Sequence, residues 1–455
     1  MRVTPLVSGL MLLTLAPSAF AQTTAQPRKP NVIVIVTDDQ GYGDVGFNGC
    51  KDIPTPNLDA LAQSGTICTS GYVTFPVCSP SRVGLLTGRH GARFGYDTNP
   101  DSPQSPNPHA AGLPLTERTL PEVLQKLGYQ TGGIGKWHLG VLPHFHPNQR
   151  GFGEFFGFLG GGHQYLNWTE NANNPYQWAL LRNTTPVPGV EKRYLTEVLT
   201  DEATAFVERH QREPFFLYLA YNAPHEPLQA PESYLARFPN LTGKRKTYAA
   251  MVSAVDDGVG KLTAKLKELG LTNDTLIVYI SDNGGPINAN SSRNLPLRGE
   301  KSQVLEGGIR VPFVLSYPGT IPAGKRYDQP VSTLDIQPTA LALAGKETQH
   351  MASMEGVNLI PFLRGENKEA PHERLYWRHI NGSWAIREGA YKLMSDAKGV
   401  QSLFDLTKDI GEKDNLLTQK PELAKRLQRA WESWNSANAG RIPWAPNTGG
   451  LKSDG

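Results

Sequence analysis

The sequence predicts an α/β fold: a large mixed, mostly parallel sheet sandwiched by helices, with a smaller C-terminal α+β subdomain made of an antiparallel sheet and a helix. Three observations carry it. The runs Val32–Val36, Phe215–Leu219 and Leu276–Ile280 are unbroken apolar stretches bounded by turn residues, the pattern of strands buried on both faces and hence central and parallel. Helical patterns at 194–210 and 248–269 lie between them, giving the strand–helix alternation that a parallel sheet needs. Beyond about residue 346 the pattern becomes short strands separated by Gly-containing turns.

A chain of 455 residues with 39% hydrophobic content can bury one large domain and a smaller one. Residues 1–21 open on Met1-Arg2, run apolar from Leu6 to Leu15 and close on Ala19-Phe20-Ala21, the pattern of a cleaved signal peptide. Residues 22–30 are polar and read as a disordered lead; 31–345 form the large domain, 346–440 the subdomain and 441–455 a tail. No other stretch is apolar for long enough to cross a bilayer, so an exported, periplasmic or secreted protein with no membrane anchor is expected. The formal net charge of +3 gives no support to nucleic-acid binding, and an anionic substrate must be gathered by a local cluster.

Taken in order, the first strand ends in Thr37-Asp38-Asp39-Gln40-Gly41, at the carboxyl edge where such sheets carry their sites. Two adjacent acids there serve as a turn cap or as part of an ion site. A short helix covers 57–63. Cys78-Ser79-Pro80-Ser81-Arg82 leads into Val83-Gly84-Leu85-Leu86 and Gly88; Pro in the first turn and Gly past the end bound a helix. Cys78 thus sits at a helix N-terminus, where the dipole and Arg82, one turn on, favour an anion. Read alone, it is more simply a buried thiol in a turn. A helix at 119–127 precedes a strand at 129–134 and Gly135-Lys136-Trp137-His138-Leu139-Gly140. On an extended segment Lys136 and His138 project to one side.

Residues 143–189, rich in Gly, Asn, Pro and aromatics, read as loops around a mouth, with Tyr165, Trp168, Tyr176 and Trp178 as candidates to stack on sugar rings. His144, His146 and His163 read as exposed loop histidines. After the Phe215–Leu219 strand comes Ala223-Pro224-His225, on the same edge. The Thr275–Ile280 strand then delivers Asp282 and Asn283. Asp38, Asp39, Asp282 and Asn283 together make an all-oxygen, anionic set suited to a hard divalent cation, Ca²⁺ before Mg²⁺ because its geometry is tolerant. Glu300-Lys301 precedes Glu306-Gly307-Gly308. The subdomain strands fall near 375–377, 384–386, 391–394 and 403–406, with a helix from Pro421 to about Trp434.

The Cys78-x-Pro80-x-Arg82 motif with Leu86-Thr87-Gly88-Arg89 resembles the signature of the type I, formylglycine-dependent sulfatases of the alkaline phosphatase superfamily, arylsulfatase-like members included. Gly135–Gly140, Pro224-His225, the Asp38-Asp39 and Asp282-Asn283 strand ends and Lys301 before Glu306-Gly307-Gly308 resemble the family's other motifs, spread over nearly the whole mature chain. The resemblance implies hydrolysis of sulfate esters through a 3-oxoalanine (formylglycine) derived from Cys78, installed by a formylglycine-generating or sulfatase-maturating enzyme. It implies one Ca²⁺ on Asp38, Asp39, Asp282 and Asn283. It assigns Arg82 and Lys136 to holding the formylglycine and His138 to driving the elimination of sulfate. His225 and Lys301 would bind the sulfate, with His225 protonating the leaving group. It also implies a four-stranded C-terminal sheet with one helix.

Many relatives have Gly where Glu300 stands, and an acid there would tune Lys301 or reach the substrate. If Cys78 is modified, Cys50 and Cys68 remain as a candidate pair, which geometry decides. A sulfated sugar of galactan or glycosaminoglycan type is the expected substrate. The alternatives are a phosphodiesterase or phosphonate monoester hydrolase of the same superfamily, and a non-catalytic exported carbohydrate-binding protein.

Overall fold

The computed structural model describes residues 1, 3–5, 28–100, 111–167, 176–177, 179–189, 192–346 and 354–440. Most of the expected signal peptide and lead, the tail from 441, Trp168 and Trp178 lie outside the described residues. Residues 28–30, expected in the lead, are instead fastened to the body: Arg28 donates to the carbonyls of Gln211 and Glu213 (2.8 and 2.7 Å) and Lys29 to that of Leu127 (3.0 Å).

The strands of the large domain are β1 (Asn31–Thr37), β2 (Thr66–Cys68), β3 (Gly71–Tyr72), β4 (Gln130–Lys136), β5 (Glu154–Phe158), β6 (Leu181–Arg182), β7 (Thr185–Pro186), β8 (Phe215–Ala220), β9 (Thr275–Ser281), β10 (Phe313–Ser316), β11 (Lys325–Tyr327) and β12 (Val331–Ser332). Ten of them form one sheet in the order β11-β2-β10-β9-β1-β8-β4-β5-β6-β7. Its centre, β9-β1-β8-β4-β5, is parallel, while β10 and β6 attach antiparallel on either side. The sheet is therefore mixed, with its longest strands parallel and innermost.

The unbroken apolar runs have a direct reason. On β1, Val32, Val34 and Val36 pack on one face with Leu85, Leu86, Leu124 and Leu341, whereas Ile33 and Ile35 pack on the other with Leu58, Val198, Leu199, Val252 and Val255. Both faces are covered by helices, so alternation would leave polar groups buried. The helices lie close to the expected bounds. Leu120–Lys126 is opened by a capping box of Thr119 and Glu122, and the long Gly243–Glu268 helix starts five residues before the expected Tyr248.

Strands β13 (Arg374–Arg378), β14 (Trp384–Glu388), β15 (Tyr391–Ser395) and β16 (Gln401–Asp405) form a separate antiparallel sheet in chain order. Here the period-2 pattern separates two apolar faces. Leu375, Trp377, Ala385, Met394 and Phe404 join the core of the large domain, while Trp384, Ile386, Leu393 and Leu403 pack on Ala424 and Leu427 of the Pro421–Ser436 helix.

The candidate pairing of Cys50 with Cys68 is not made; both are free thiols. Cys68 lies in the core on one face of the large sheet and Cys50 packs against the core on the other, where its thiol contacts Asp52 Oδ1 at 3.3 Å.

Candidate active site

The site forms where four central strands end. Beyond β1, Asp38 and Asp39 follow; Asp38 N–H donates to Ala223 O (3.2 Å) and Asp282 N–H to Thr37 O (3.0 Å), so the ends of β1, β8 and β9 are laced together. Asp39 holds the left-handed conformation, φ 62°, a costly state for a side-chain-bearing residue that turns the chain at the strand end. Asn290 Nδ2 fastens it by donating to Asp39 O (3.0 Å).

Cys78 begins the helix Cys78–Thr87, which Gly88 ends at φ 62°. Every residue of this helix is buried. Its first turn is held by Asn99 Oδ1, which accepts from Ser79 N–H (3.1 Å), and by Ser79 Oγ, which donates to His138 O (2.6 Å).

The charged groups interlock. Arg82 sends Nε and Nη2 to Asp282 Oδ2 (3.0 and 2.7 Å) and reaches Asp38 Oδ2 at 3.6 Å. Lys136 Nζ donates to Asp38 Oδ2 (2.5 Å). Lys301 Nζ donates to Asp39 Oδ2 (2.8 Å), His225 Nε2 stands 3.5 Å from that oxygen, and Asn283 Nδ2 donates to Asp39 Oδ1 (2.7 Å). Cys78 Sγ lies 3.5 Å from Asp38 Oδ1. Ligand atoms of Asp38, Asp39, Cys78 and Asp282 all fall within 4.8 Å of one another, and those of Asp38, Cys78 and His225 do so as well.

The structure thus brings nine of the ten predicted residues into direct contact. His138 is buried and joined to the cluster through its backbone contact with Ser79. Its backbone is not extended as expected; it turns at φ 60°, so the strand geometry that would put Lys136 and His138 on one side ends before His138.

Asp38, Asp39 and Asp282, at most 2% exposed, face Arg82, Lys136 and Lys301. Burying isolated charges would cost several kcal/mol each, so the pairing is what lets them stand together. Burial opposes the Asp38 charge, yet Lys136, His225, Arg82 and Lys301 outweigh it and hold that carboxyl well below its usual range. For Asp282, burial and the Asp38 charge outweigh Arg82 and Lys136 and push the carboxyl up. Burial likewise disfavours the charge on Lys136, which Asp38 more than restores. Burial pushes the Cys78 thiol far up, so an unmodified Cys78 is a neutral thiol and a poor nucleophile.

The donor set fits a hard cation. Beside three carboxylates, Asn283 Oδ1 is buried and has no hydrogen-bond partner among the described residues, an acceptor whose lone pairs point to a cation rather than to a donor.

Several residues were out of reach of sequence reasoning. Tyr218, within β8, puts its hydroxyl 3.3 Å from Arg82 Nη1; its position in an apolar run reads only as core. Asn99 sits in a loop and Asn290 ends the short helix Ile287–Asn290; neither lies in one of the site's sequence motifs. Glu300 does not face Lys301's partners: its carboxylate caps Ile287 N–H at 2.6 Å. Nor are all three loop histidines exposed. His146 and His163 are buried, His146 accepting from Asn148 N–H (3.2 Å) and His163 bonding Gln164 O (2.6 Å). Tyr165 is buried too, donating to His225 O at 2.9 Å, so it positions the histidine loop and offers no stacking face.

The mixed sheet thus gathers, at its parallel strand ends, a buried cluster of carboxylates, fixed cations and a cysteine. Residues 30–346 match the sulfatase family and residues 300–436 the C-terminal part of N-sulphoglucosamine sulphohydrolase. The uncharacterized sulfatase YdeN of Escherichia coli (strain K12) is 31% identical over 88% of this chain and 84% of its own length. The N-acetylgalactosamine-6-sulfatase of Mus musculus is 35% identical over 80% of this chain and 72% of its own. The crystal structure of Ps i-CgsB in complex with k-i-k-neocarrahexaose superposes with a TM-score of 0.86 at 40% identity, covering 92% of this chain and 96% of that one. The chain belongs to the sulfatase family and is a sulfuric ester hydrolase.

Proposed function

We propose that this protein removes sulfate from a sulfated carbohydrate, a galactan before a glycosaminoglycan, using a formylglycine made from Cys78 and a Ca²⁺ held by Asp38, Asp39, Asp282 and Asn283. The observation that carries the reading is the meeting of Cys78 with those oxygens and with three fixed cations at one strand edge. The similarity to Ps i-CgsB, crystallised with an oligosaccharide, and to N-acetylgalactosamine-6-sulfatase supports the substrate class. The large domain, 31–345, would carry the chemistry and 346–440 the supporting subdomain.

When present, the formylglycine hydrate supplies an oxygen nucleophile with a spare hydroxyl, and Ca²⁺ supplies Lewis-acid stabilisation of sulfate oxygens. The protein's own groups do the rest. Arg82, pinned by two N–H contacts to Asp282, and Lys136, on Asp38, hold the side chain at position 78 in a fixed orientation. Asp282 accepts the proton of the attacking hydroxyl. Lys301 and His225, both at Asp39, would bind the sulfate, with His225 protonating the leaving oxygen, and His138 would act as the base toward the spare hydroxyl at position 78. The cations offset repulsion between an anionic ester and an oxygen nucleophile.

Export, to a periplasm or beyond the cell, and a maturating enzyme that acts on Cys78 complete the reading. No helix among the described residues is long and apolar enough to cross a membrane.

The test has two arms. Mass measurement of the peptide spanning Cys78 should show conversion of the thiol to the aldehyde or its hydrate; an unmodified thiol in active protein would overturn the nucleophile. A panel of defined sulfated galactan and glycosaminoglycan oligosaccharides, run beside nitrophenyl sulfate and phosphate, should give the highest kcat/KM on a sulfated sugar. Preference for the phosphate ester would favour the phosphoesterase alternative.

A further inference from the structure

A second buried charge cluster lies outside the site, between the large domain and the C-terminal sheet. Glu306 is its centre. Its Oε1 accepts from Lys392 Nζ on β15 (2.9 Å), and its Oε2 accepts from Tyr72 OH (2.5 Å) and lies 3.2 Å from Arg310 Nη1. Lys392 also pairs with Glu412 Oε1 at 2.9 Å, and Glu412 Oε2 accepts the backbone N–H of Glu306 at 2.8 Å. The side chains of Glu306, Lys392 and Glu412 have no exposed surface.

What this cluster grips is the turn Glu306-Gly307-Gly308, which touches the active-site loops on two sides. Gly308 O accepts from Gly284 N–H (3.0 Å), next to Asn283, and Gly307 N–H donates to Arg298 O (2.7 Å), at the start of the segment that carries Lys301. That segment is in turn tied to the bend that leads into Cys78, since Ser302 N–H donates to Pro76 O at 2.8 Å. The packing leaves no slack: a Cβ on Gly284 would stand 1.7 Å from Gly307 O, and one on Gly307 would stand 2.2 Å from Gly299 O. A shift of Glu306 would therefore press on the segments that carry Lys301 and Asn283.

We infer that Lys392 and Glu412, from the C-terminal subdomain, are positioning residues for the sulfatase reaction: through Glu306 they set the placement of Lys301 at the sulfate. The subdomain is then a working part of the site as well as a cover for the core. The inference rests on the reading of Lys301 as a sulfate-binding group.

The experiment is a double-mutant cycle on the full, matured chain, with kcat and KM on a sulfate ester and thermal unfolding read for each variant. Lys301→Ala alone should lower kcat/KM at least about tenfold; if it does not, the assignment of Lys301 fails, whatever Lys392 does. Given that loss, Lys392→Met should lower kcat/KM about tenfold or more in the native background, with KM rising, because small misplacements of a binding group are costly. In the Lys301→Ala background the same change should cost less than about twofold. Lys392→Arg should restore part of the activity. Equal losses in both backgrounds, or native kinetics in Lys392→Met, would overturn the inference. Should Lys392→Met not fold, Glu412→Gln, which keeps the volume and the acceptor for Glu306 N–H, is read by the same cycle and the same criteria.

Discussion

Arg82 shows how much depends on the shape of one side chain. It delivers two N–H groups to a single oxygen of Asp282 and a third toward Tyr218 and the Lys136 carbonyl, a fork that an ammonium cannot reproduce. Arg82→Lys keeps the charge but loses the fork, and kcat on a sulfate ester should fall by about 10²–10³; a variant within about threefold of native would show that charge alone suffices. The Asn283 carbonyl offers a second test. In chelator-treated protein, added Ca²⁺ should raise the melting temperature, because a ligand that binds only the folded state stabilises it. Asn283→Ala should shift the Ca²⁺ concentration needed by about tenfold or more. The residues in these tests were legible in the sequence because each lies in a short motif at a strand end or helix start. Tyr218 was not, since a tyrosine inside an apolar run carries no mark of the arginine it meets from the helix packed on its face of the sheet.

Among the elements, β4 has little room for change. Gly135 has φ 102°, and a Cβ there would stand 1.9 Å from Ala220 O on β8. Since Lys136 is the next residue, Gly135→Ala should both lower the melting temperature and displace the lysine; loss of activity with an unchanged melting temperature would contradict this coupling. A pH-dependent contact lies elsewhere. His372 Nε2 bonds Asp335 Oδ1 at 2.8 Å, and Asp335 also accepts from Ser332 N–H and Val357 N–H (2.7 and 2.9 Å). Burial alone would lower the His372 pKa, but Asp335 outweighs it and raises it above 6.5. A raised folded-state pKa means that the pair's contribution is fully present below the unfolded value and fades as pH rises through the folded one. The melting-temperature gap between native protein and His372→Gln should therefore be larger at pH 5.5 than at pH 8.5. A gap that widens with pH would reverse the sign and refute the pairing.

Across the whole molecule, the C-terminal sheet completes the main core. Leu375, Trp377, Ala385, Met394 and Phe404 are buried with the residues that cover β1, and removing them would expose several large apolar side chains, each worth about 1.5–3 kcal/mol when buried. A chain ending at residue 346 should yield no cooperatively folded protein by calorimetry, and a sharp, native-like transition would show that the large domain stands alone.

What the sequence determined by itself is considerable: the buried strands, the mixed α/β architecture with its antiparallel subdomain, and the list of side chains placed at strand ends. Apolar runs, turn residues and motif spacing are local patterns, and local patterns record which elements form and which residues cap them. The partners were decided only by the tertiary structure. Lys136 meets Asp38 and Lys301 meets Asp39 across separations of 98 and 262 positions. Glu300 turns away to cap Ile287, and Cys50 and Cys68 fall on opposite faces of the sheet. The physical reason is that strand order and sheet packing choose which distant groups share a buried space, and there each charge is stable only beside the opposite charge that the fold brings to it.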